Sequence, residues 1–225
     1  MKIEAVLFDM DGLMVDTESL STKALISSAK KQDYEMTKEE TLQVLGFTEA
    51  AIYKFWENYF EDSHVDGKKL ADDHYDYIEE VLFTTGPDKM PNVEELLVYL
   101  KENNYKIAVA SSSNIDHIEN NMKKTRLRKY IDKIASGQEV LNGKPAPDVF
   151  LLAAERLGVK PENCLVLEDS KSGIKAGHAS GATVFMVPDM FKPDEECIEI
   201  ANRILKNLGE VINILEEEND KDFNR

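Results

Sequence analysis

The sequence has few cysteines and no long apolar run, and these absences exclude several classes of protein. Its 225 residues include two cysteines, Cys164 and Cys197, and nothing else suggests a disulfide framework, which favours a reducing compartment. No stretch approaches the roughly 20 apolar residues that cross a bilayer. The first apolar segment, residues 3–8, contains Glu4, which is not typical of a secretion signal. We therefore expect a soluble, cytoplasmic protein.

Positive charge is also scarce. Lysine and arginine number 27 against 43 aspartates and glutamates, for a formal net charge of −16. A chain this acidic offers no basic face to neutralise a phosphate backbone, so nucleic acid is not an expected partner. The same charge repels small anionic substrates. Any phosphate site would therefore need its own local cation, and a metal ion is the first candidate.

Short apolar runs separated by helical patterns predict a layered α/β fold. Four partly β-branched runs are nearly continuous in apolar character, which is typical of strands covered on both faces. They lie at residues 3–8, 106–110, 164–167 and 183–187. Helical periodicity predicts helices at 91–104, 115–124, 148–157, 171–180 and 198–208. This alternation predicts a doubly wound, mostly parallel sheet, whose ligand site lies at the carboxyl ends of the strands.

Residues 16–84 differ, because helical patterns follow one another there with no strand between them. Apolar side chains recur with helical spacing at 52–60 and again at 70–81. Thr37 and Glu40 have the spacing of a capping box. The sequence thus predicts two domains, a Rossmann-like core at 1–15 and 85–225 and an inserted all-helical domain at 16–84.

Two aspartates follow the first predicted strand. Asp9 and Asp11 are two residues apart on an extended chain, so their carboxylates point the same way about 6.6 Å apart. Gly12 then permits a sharp turn. A divalent cation, or a proton shared by the pair, would relieve their repulsion, and one acid could attack while the other handles protons. Taken alone, the motif is equally typical of a solvated turn.

Polar residues also follow two other predicted strands, and a lysine lies in a loop between them. Ser111 and Ser112 precede a helix, where hydroxyls and free amides bind anions, although an ordinary N-cap explains them as well. Lys144 supplies a cation in a loop that two prolines constrain, although a solvent-exposed lysine in a proline-rich loop is the ordinary explanation. Glu168 and Asp169 would complete an oxygen-rich site suited to Mg²⁺. Alternatively, their negative charges would only interact favourably with the N-terminus of the next helix.

The joint occurrence of these residues at successive strand ends favours one shared site. The motifs are Asp9-x-Asp11-Gly12-x-x-x-Asp16-Thr17-Glu18, Ser111, Lys144-Pro145-x-Pro147-Asp148 and Glu168-Asp169-Ser170-x-x-Gly173-Ile174-x-Ala176-Gly177-x-x-x-Gly181. In these motifs, and over essentially the whole chain, the sequence resembles the haloacid dehalogenase superfamily. Within it, the sequence resembles the β-phosphoglucomutase-like phosphatases that carry a helical cap after the first strand.

The resemblance implies a role for each candidate residue. Asp9 would be the nucleophile that forms an aspartyl-phosphate, and Asp11 would be the general acid and then the general base. Ser111, the Ser112 amide and Lys144 would hold the phosphoryl oxygens. Mg²⁺ would be bound by the Asp9 carboxylate, the Asp11 backbone carbonyl, Asp169 and, directly or through water, Glu168.

The resemblance leaves more than one function open. Dehalogenases of the superfamily generally lack a second acid, so Asp11 disfavours that reaction. β-Phosphoglucomutases use a cap histidine and a cap arginine, and we align those places with Ser21 and Glu49, which favours hydrolysis of a sugar or polyol phosphate over a mutase. A regulator that only binds phosphorylated metabolites is disfavoured, because the core acids and Lys144 are present. We expect a small phosphorylated metabolite as partner, no membrane, and a monomer.

Overall fold

A computed structural model of the chain describes residues 2–44, 47, 49–190 and 192–223. Its strands are β1 Ala5–Phe8, β2 Lys106–Ser111, β3 Lys133–Ser136, β4 Cys164–Glu168, β5 Thr183–Met186 and β6 Arg203–Ile204. They form one parallel sheet in the spatial order β3-β2-β1-β4-β5-β6. The predicted doubly wound α/β fold is confirmed, with β1 at the point where the strand order reverses.

Helices connect the strands and also form a separate segment after β1. They are α1 Thr17–Lys30, α2 Lys38–Thr41, α3 Glu49–Tyr59, α4 Gly67–Thr84, α5 Val93–Glu102, α6 Ile115–Lys124, α7 Asp148–Leu157, α8 Lys171–Ala179, α9 Glu195–Ile200 and α10 Gly209–Phe223. Short 3₁₀ turns occupy Leu42–Val44, Arg128–Tyr130, Gly137–Glu139 and Pro161–Asn163. Within the described part of the chain, every helix is too short or too polar to cross a membrane.

The central strand β1 is buried on both faces. Val6 and Phe8 pack in an apolar core with residues of α5, α6 and α10, whereas Ala5 and Leu7 pack in a second core with residues of α7 and α8. None of these four side chains is more than 1% exposed. Burial on both faces explains why this run is continuously apolar in the sequence.

The helix predicted at 198–208 is wrong, and periodicity alone predicts neither edge strand, β3 nor β6. Helix α9 ends at Ile200, β6 follows, and α10 begins only at Gly209. Leu205 and Leu208 are buried, but they pack in the first core from the segment between β6 and α10. Their spacing therefore resembles that of a helix although the chain between them is not helical.

The chain divides into two compact units, Met1–Val15 with Asp88–Arg225 and Asp16–Pro87. The second unit contains α1 to α4 around a buried core that includes Trp56. Gly67 begins α4 where an added Cβ would lie 2.1 Å from the Trp56 carbonyl oxygen, so this close approach requires glycine. The capping box predicted at Thr37 and Glu40 is confirmed. This unit is therefore an independently packed helical insertion.

Candidate active site

Asp9 and Asp11 lie where β1 ends and the chain turns. The backbone N–H of Asp9 still donates to a β4 carbonyl at 3.0 Å, so the sheet continues by one residue. The Met10 carbonyl then accepts hydrogen bonds from the N–H groups four and five residues farther along, at 2.8 and 3.1 Å. Gly12 adopts a φ of +77° within this tight turn, a conformation that favours glycine. Both aspartates are thus fixed relative to the central strand.

Further candidate residues come from the two strands that flank β1. The parallel register puts the end of β1 beside Val109 of β2 and Leu167 of β4. The residues that follow these strands therefore emerge at one edge of the sheet. Ser111 and Glu168 reach this edge with Asp9, and these three residues are 1%, 0% and 7% exposed. The site is a buried strand-end cleft, as expected for a doubly wound sheet.

Lys144 reaches the same edge from the loop between β3 and α7. Its ammonium group donates hydrogen bonds to Asp9 Oδ1 and, at 2.7 Å, to Glu168 Oε1, and its side chain is only 5% exposed. The ammonium also lies 4.8 Å from the centre of the Phe150 ring. Burial alone would lower the pKa of Lys144, but Asp9 and Glu168 outweigh that effect and raise it. The charged ammonium form of Lys144 is therefore favoured.

The Glu168 carboxylate is held in a close-fitting cradle. Its Oε2 accepts hydrogen bonds from the Ser170 N–H at 2.7 Å and from the Ser170 hydroxyl at 2.9 Å. A Cβ added at Gly173 would lie 1.6 Å from Glu168 Oε1, so the first turn of α8 can cover this carboxylate only with glycine there. With the bond from Lys144, contacts on both oxygens fix the orientation of Glu168.

Three carboxylates converge tightly enough to hold a metal ion. One oxygen from each of Asp9, Glu168 and Asp169 lies within 4.8 Å of the other two. Burial, together with the neighbouring carboxylates, raises the pKa of Asp169 to about 10 and, despite the opposing effect of Lys144, that of Asp9 to about 8. One lysine does not balance three ionised acids. Oxygen ligands with excess negative charge fit Mg²⁺, which would relieve this repulsion.

Asp11 is not part of that carboxylate group and instead contacts serines after β2. Its Oδ2 accepts a hydrogen bond from Ser113 at 2.8 Å and a longer one from Ser111 at 3.4 Å. Ser112, between them, is exposed, and its carbonyl oxygen lies 2.9 Å from where a Cβ of Gly137 would be. The structure thus brings Asp11 and Ser111 together, while the Ser112 amide remains a predicted phosphate ligand.

Two contacts at the site were not among the sequence-based candidates. Ser113 binds Asp11, and Ser170 binds Glu168 while it also caps α8. The run of three serines at the end of β2 is the only sequence signal for the first contact. The sequence alone predicts Ser170 as an ordinary N-cap residue. Its contact with Glu168 depends on where that carboxylate lies in the folded chain.

Comparison with known proteins identifies relatives along almost the whole chain. A family model described as haloacid dehalogenase-like hydrolase matches residues 6–187. A protein of Thermotoga maritima named phosphorylated carbohydrates phosphatase is 31% identical over 226 residues, which span 96% of this chain and 99% of the relative. The similarity therefore covers both the sheet and the helical insertion.

Solved structures agree with this comparison. A crystal structure from Thermotoga maritima, described provisionally as a β-phosphoglucomutase, has a TM-score of 0.82 at 29% identity and covers 96% of this chain and 99% of its own. A HAD family hydrolase from Deinococcus radiodurans, solved with bound phosphate and sodium, also has a TM-score of 0.82, at 26% identity, and covers 96% of each chain. The same architecture thus binds phosphate in at least one solved relative.

Proposed function

The chain belongs to the haloacid dehalogenase-like hydrolases, and we propose that it hydrolyses a small phosphomonoester with Mg²⁺ through a phosphate ester formed on Asp9. Membership of this family and a relative named as a phosphatase identify the general activity, that of a phosphoric monoester hydrolase. The observation that carries the proposed mechanism is the buried contact of Asp9 with Lys144 beside two further carboxylates. This arrangement combines a nucleophile, a fixed cation and metal ligands in one cleft.

The proposed reaction has two steps that share one acid–base group. In the first, a carboxylate oxygen of Asp9 attacks phosphorus, the bond from phosphorus to the ester oxygen breaks, and that oxygen takes a proton from Asp11. In the second, water gives a proton to Asp11 and attacks phosphorus, and the bond to Asp9 breaks to release inorganic phosphate. Both side chains end in their starting states.

Phosphoryl transfer depends mainly on positioning and charge neutralisation. We propose that Lys144, the Ser111 hydroxyl and the Ser112 amide bind the oxygens of the phosphoryl group during its transfer. Asp9 and Glu168 raise the pKa of Lys144, which favours the charged ammonium that this role requires. Ser111 is buried at the end of β2, so a phosphoryl oxygen bound there would lose little energy to competing water.

The carboxylate group is the proposed magnesium site. We assign Mg²⁺ to the Asp9 and Asp169 carboxylates and the Asp11 backbone carbonyl. Glu168 would act directly or through water, since Lys144 and Ser170 already bind it. When bound, the ion would neutralise the carboxylates and withdraw electron density from the phosphoryl group. Activity should disappear with a chelator and return with added Mg²⁺.

The proposed substrate class is a phosphorylated sugar or polyol. The support is the Thermotoga maritima relative, which is named for phosphorylated carbohydrates and matches both units of this chain. The test is hydrolysis of a panel of phosphorylated sugars, polyols and nucleotides with Mg²⁺, measured as released phosphate. Preference for nucleotides would contradict the proposed class, and no hydrolysis of any ester would contradict the function.

The nucleophile assignment is tested with Asp9→Asn, which replaces the nucleophilic carboxylate by a neutral amide of the same size. We expect no turnover, with a circular dichroism spectrum like that of the wild type, because Asp9 lies beyond the end of β1 and outside both apolar cores. Substantial phosphatase activity in this variant would refute the assignment.

A phosphosugar mutase is the second candidate, because one structural neighbour is described provisionally as a β-phosphoglucomutase. A mutase must bind a bisphosphate at both ends, yet Ser21 pairs with His74 at 2.9 Å and Glu49 is an acid, so neither aligned position presents a cation. Incubation of the enzyme with β-glucose 1-phosphate and a bisphosphate primer distinguishes the two functions. Fast isomerisation with little free phosphate would favour the mutase.

We propose that the helical segment predicted at 16–84 recognises the part of the substrate that remains beyond its phosphoryl group. The seven candidate residues are assigned to the phosphoryl group or the metal ion, and all lie outside Asp16–Pro87, so the remainder of the substrate needs other ligands. We propose that this segment is a cap that closes during turnover. Small-angle scattering of the predicted monomer with and without a phosphate analogue tests this, and identical profiles would count against closure.

A further inference from the structure

We propose that Ser113 is a positioning residue that holds the Asp11 carboxylate for proton transfer. The inference rests on the proposed function, in which Asp11 protonates the leaving oxygen. The Ser113 hydroxyl donates to Asp11 Oδ2 at 2.8 Å, whereas the Ser111 hydroxyl approaches the same oxygen only to 3.4 Å. Of these two contacts, only that of Ser113 falls in the usual O–H···O hydrogen-bond range of about 2.5–3.0 Å.

Competition for the proton of Ser111 strengthens this distinction. A serine hydroxyl has one proton to donate. Ser111 is the residue proposed to bind a phosphoryl oxygen, so its proton is not available to Asp11 once substrate is present. The oxygen of Ser111 also accepts a hydrogen bond from the Ser113 N–H at 3.0 Å. Ser113 is therefore the hydroxyl that keeps Asp11 oriented during turnover.

The backbone that carries Ser113 is fixed from the neighbouring strand. The hydroxyl of Ser136, which is fully buried at the end of β3, donates to the Ser113 carbonyl at 2.7 Å. Gly137 follows, and a Cβ there would lie 2.9 Å from the Ser112 carbonyl oxygen, so its absence lets the two loops meet. A side chain on a backbone anchored in this way loses little entropy when it orients a partner.

The orientation of Asp11 matters most when the leaving group needs a proton. A sugar alkoxide is a poor leaving group without one, whereas p-nitrophenolate leaves readily as an anion. Loss of Ser113 should therefore slow hydrolysis of a sugar phosphate far more than that of p-nitrophenyl phosphate. A general loosening of the loop would slow both substrates alike.

The experiment compares kcat/KM for the best sugar phosphate of the panel with that for p-nitrophenyl phosphate. We expect Ser113→Ala to lower the ratio of these two values by about 10- to 100-fold, the range for a misplaced acid. Ser113→Thr keeps the hydroxyl and should restore the ratio to within about 3-fold of the wild type.

Asn114→Ala is the matched control in the same loop. Asn114 caps α6 by accepting from the His117 N–H at 2.9 Å, and this capping contact does not involve Asp11. This variant should lose thermal stability yet keep the wild-type ratio. A ratio in Ser113→Ala within twofold of the wild type would overturn the inference while the phosphatase assignment stands. A wild type inactive on both substrates would instead overturn the proposed function.

Discussion

Gly12→Ala should disrupt the proposed metal site through a collision that can be measured from the structure. A Cβ at position 12 would lie 2.4 Å from Asp169 Oδ2, and ordinary contact begins near 3.4 Å. The Asp169 carboxylate must therefore retreat by about 1 Å, a displacement that can cost about 100-fold in rate when it misplaces a catalytic group. The same change should weaken magnesium binding by about 10- to 100-fold, because it acts on a proposed ligand.

Gly181→Ala is the matched control for backbone strain. Gly12 and Gly181 have φ values of +77° and +81°, but nothing lies within 4 Å of a Cβ at position 181. A left-handed conformation costs an L-residue about 1–2 kcal/mol, so both variants should be destabilised by a similar amount. For a chain of this size that corresponds to a fall in Tm of about 2–8 °C.

The assay measures kcat/KM and the half-saturating Mg²⁺ concentration at a temperature well below both Tm values. Gly181→Ala should keep wild-type values of both, whereas Gly12→Ala should lose activity and require more Mg²⁺. If Gly12→Ala behaves like Gly181→Ala in both measurements, the Asp169 carboxylate does not bind the metal from the position that it has in the structure.

Three further outcomes test other parts of the molecule. Lys144→Met should lower kcat by about 30- to 1,000-fold, equivalent to about 2–4 kcal/mol of lost transition-state stabilisation, and an unchanged kcat would remove Lys144 from the site. Mg²⁺ at about 100 times its Kd should raise the Tm of the wild type by about 5–10 °C, and scanning fluorimetry should detect no such rise in Asp169→Asn. Burial lowers the pKa of His74 from 6.5 to about 4, so between these values the unfolded chain binds more protons and stability falls as pH falls. This effect should amount to about 2 kcal/mol between pH 7.5 and pH 5 in urea unfolding, and His74→Gln, which does not titrate, should be less sensitive to pH by that amount.

The interior of the sheet could be predicted from the sequence because its strands are buried on both faces. Burial of Val6 and Phe8 on one side and of Ala5 and Leu7 on the other leaves a continuous apolar run. The two strands that periodicity does not predict, β3 and β6, are the edges of the sheet. Edge strands are short and partly polar, so no such run marks them.

In the candidate site, too, some features could be predicted from the sequence and others could not. Asp9 and Asp169 could be proposed from sequence because each follows a predicted strand, and Lys144 because two prolines constrain the loop that carries it. The contact between Ser113 and Asp11 could not, since it joins residues 102 positions apart and depends on how two loops pack. Patterns in a sequence mark the ends of strands, but they do not specify distances between the loops that follow.

Val15 forms two isolated β-bridges, and these have a consequence for how the fold can vary. This residue pairs with Asp11 on one side and with Lys89 on the other, so the chain leaves the sheet unit and returns to it at adjacent points. A helical segment of another length or composition could be spliced between those points without shifting the register of any strand. Under the roles proposed for the two units, substrate choice could then change while the residues proposed to react stay the same.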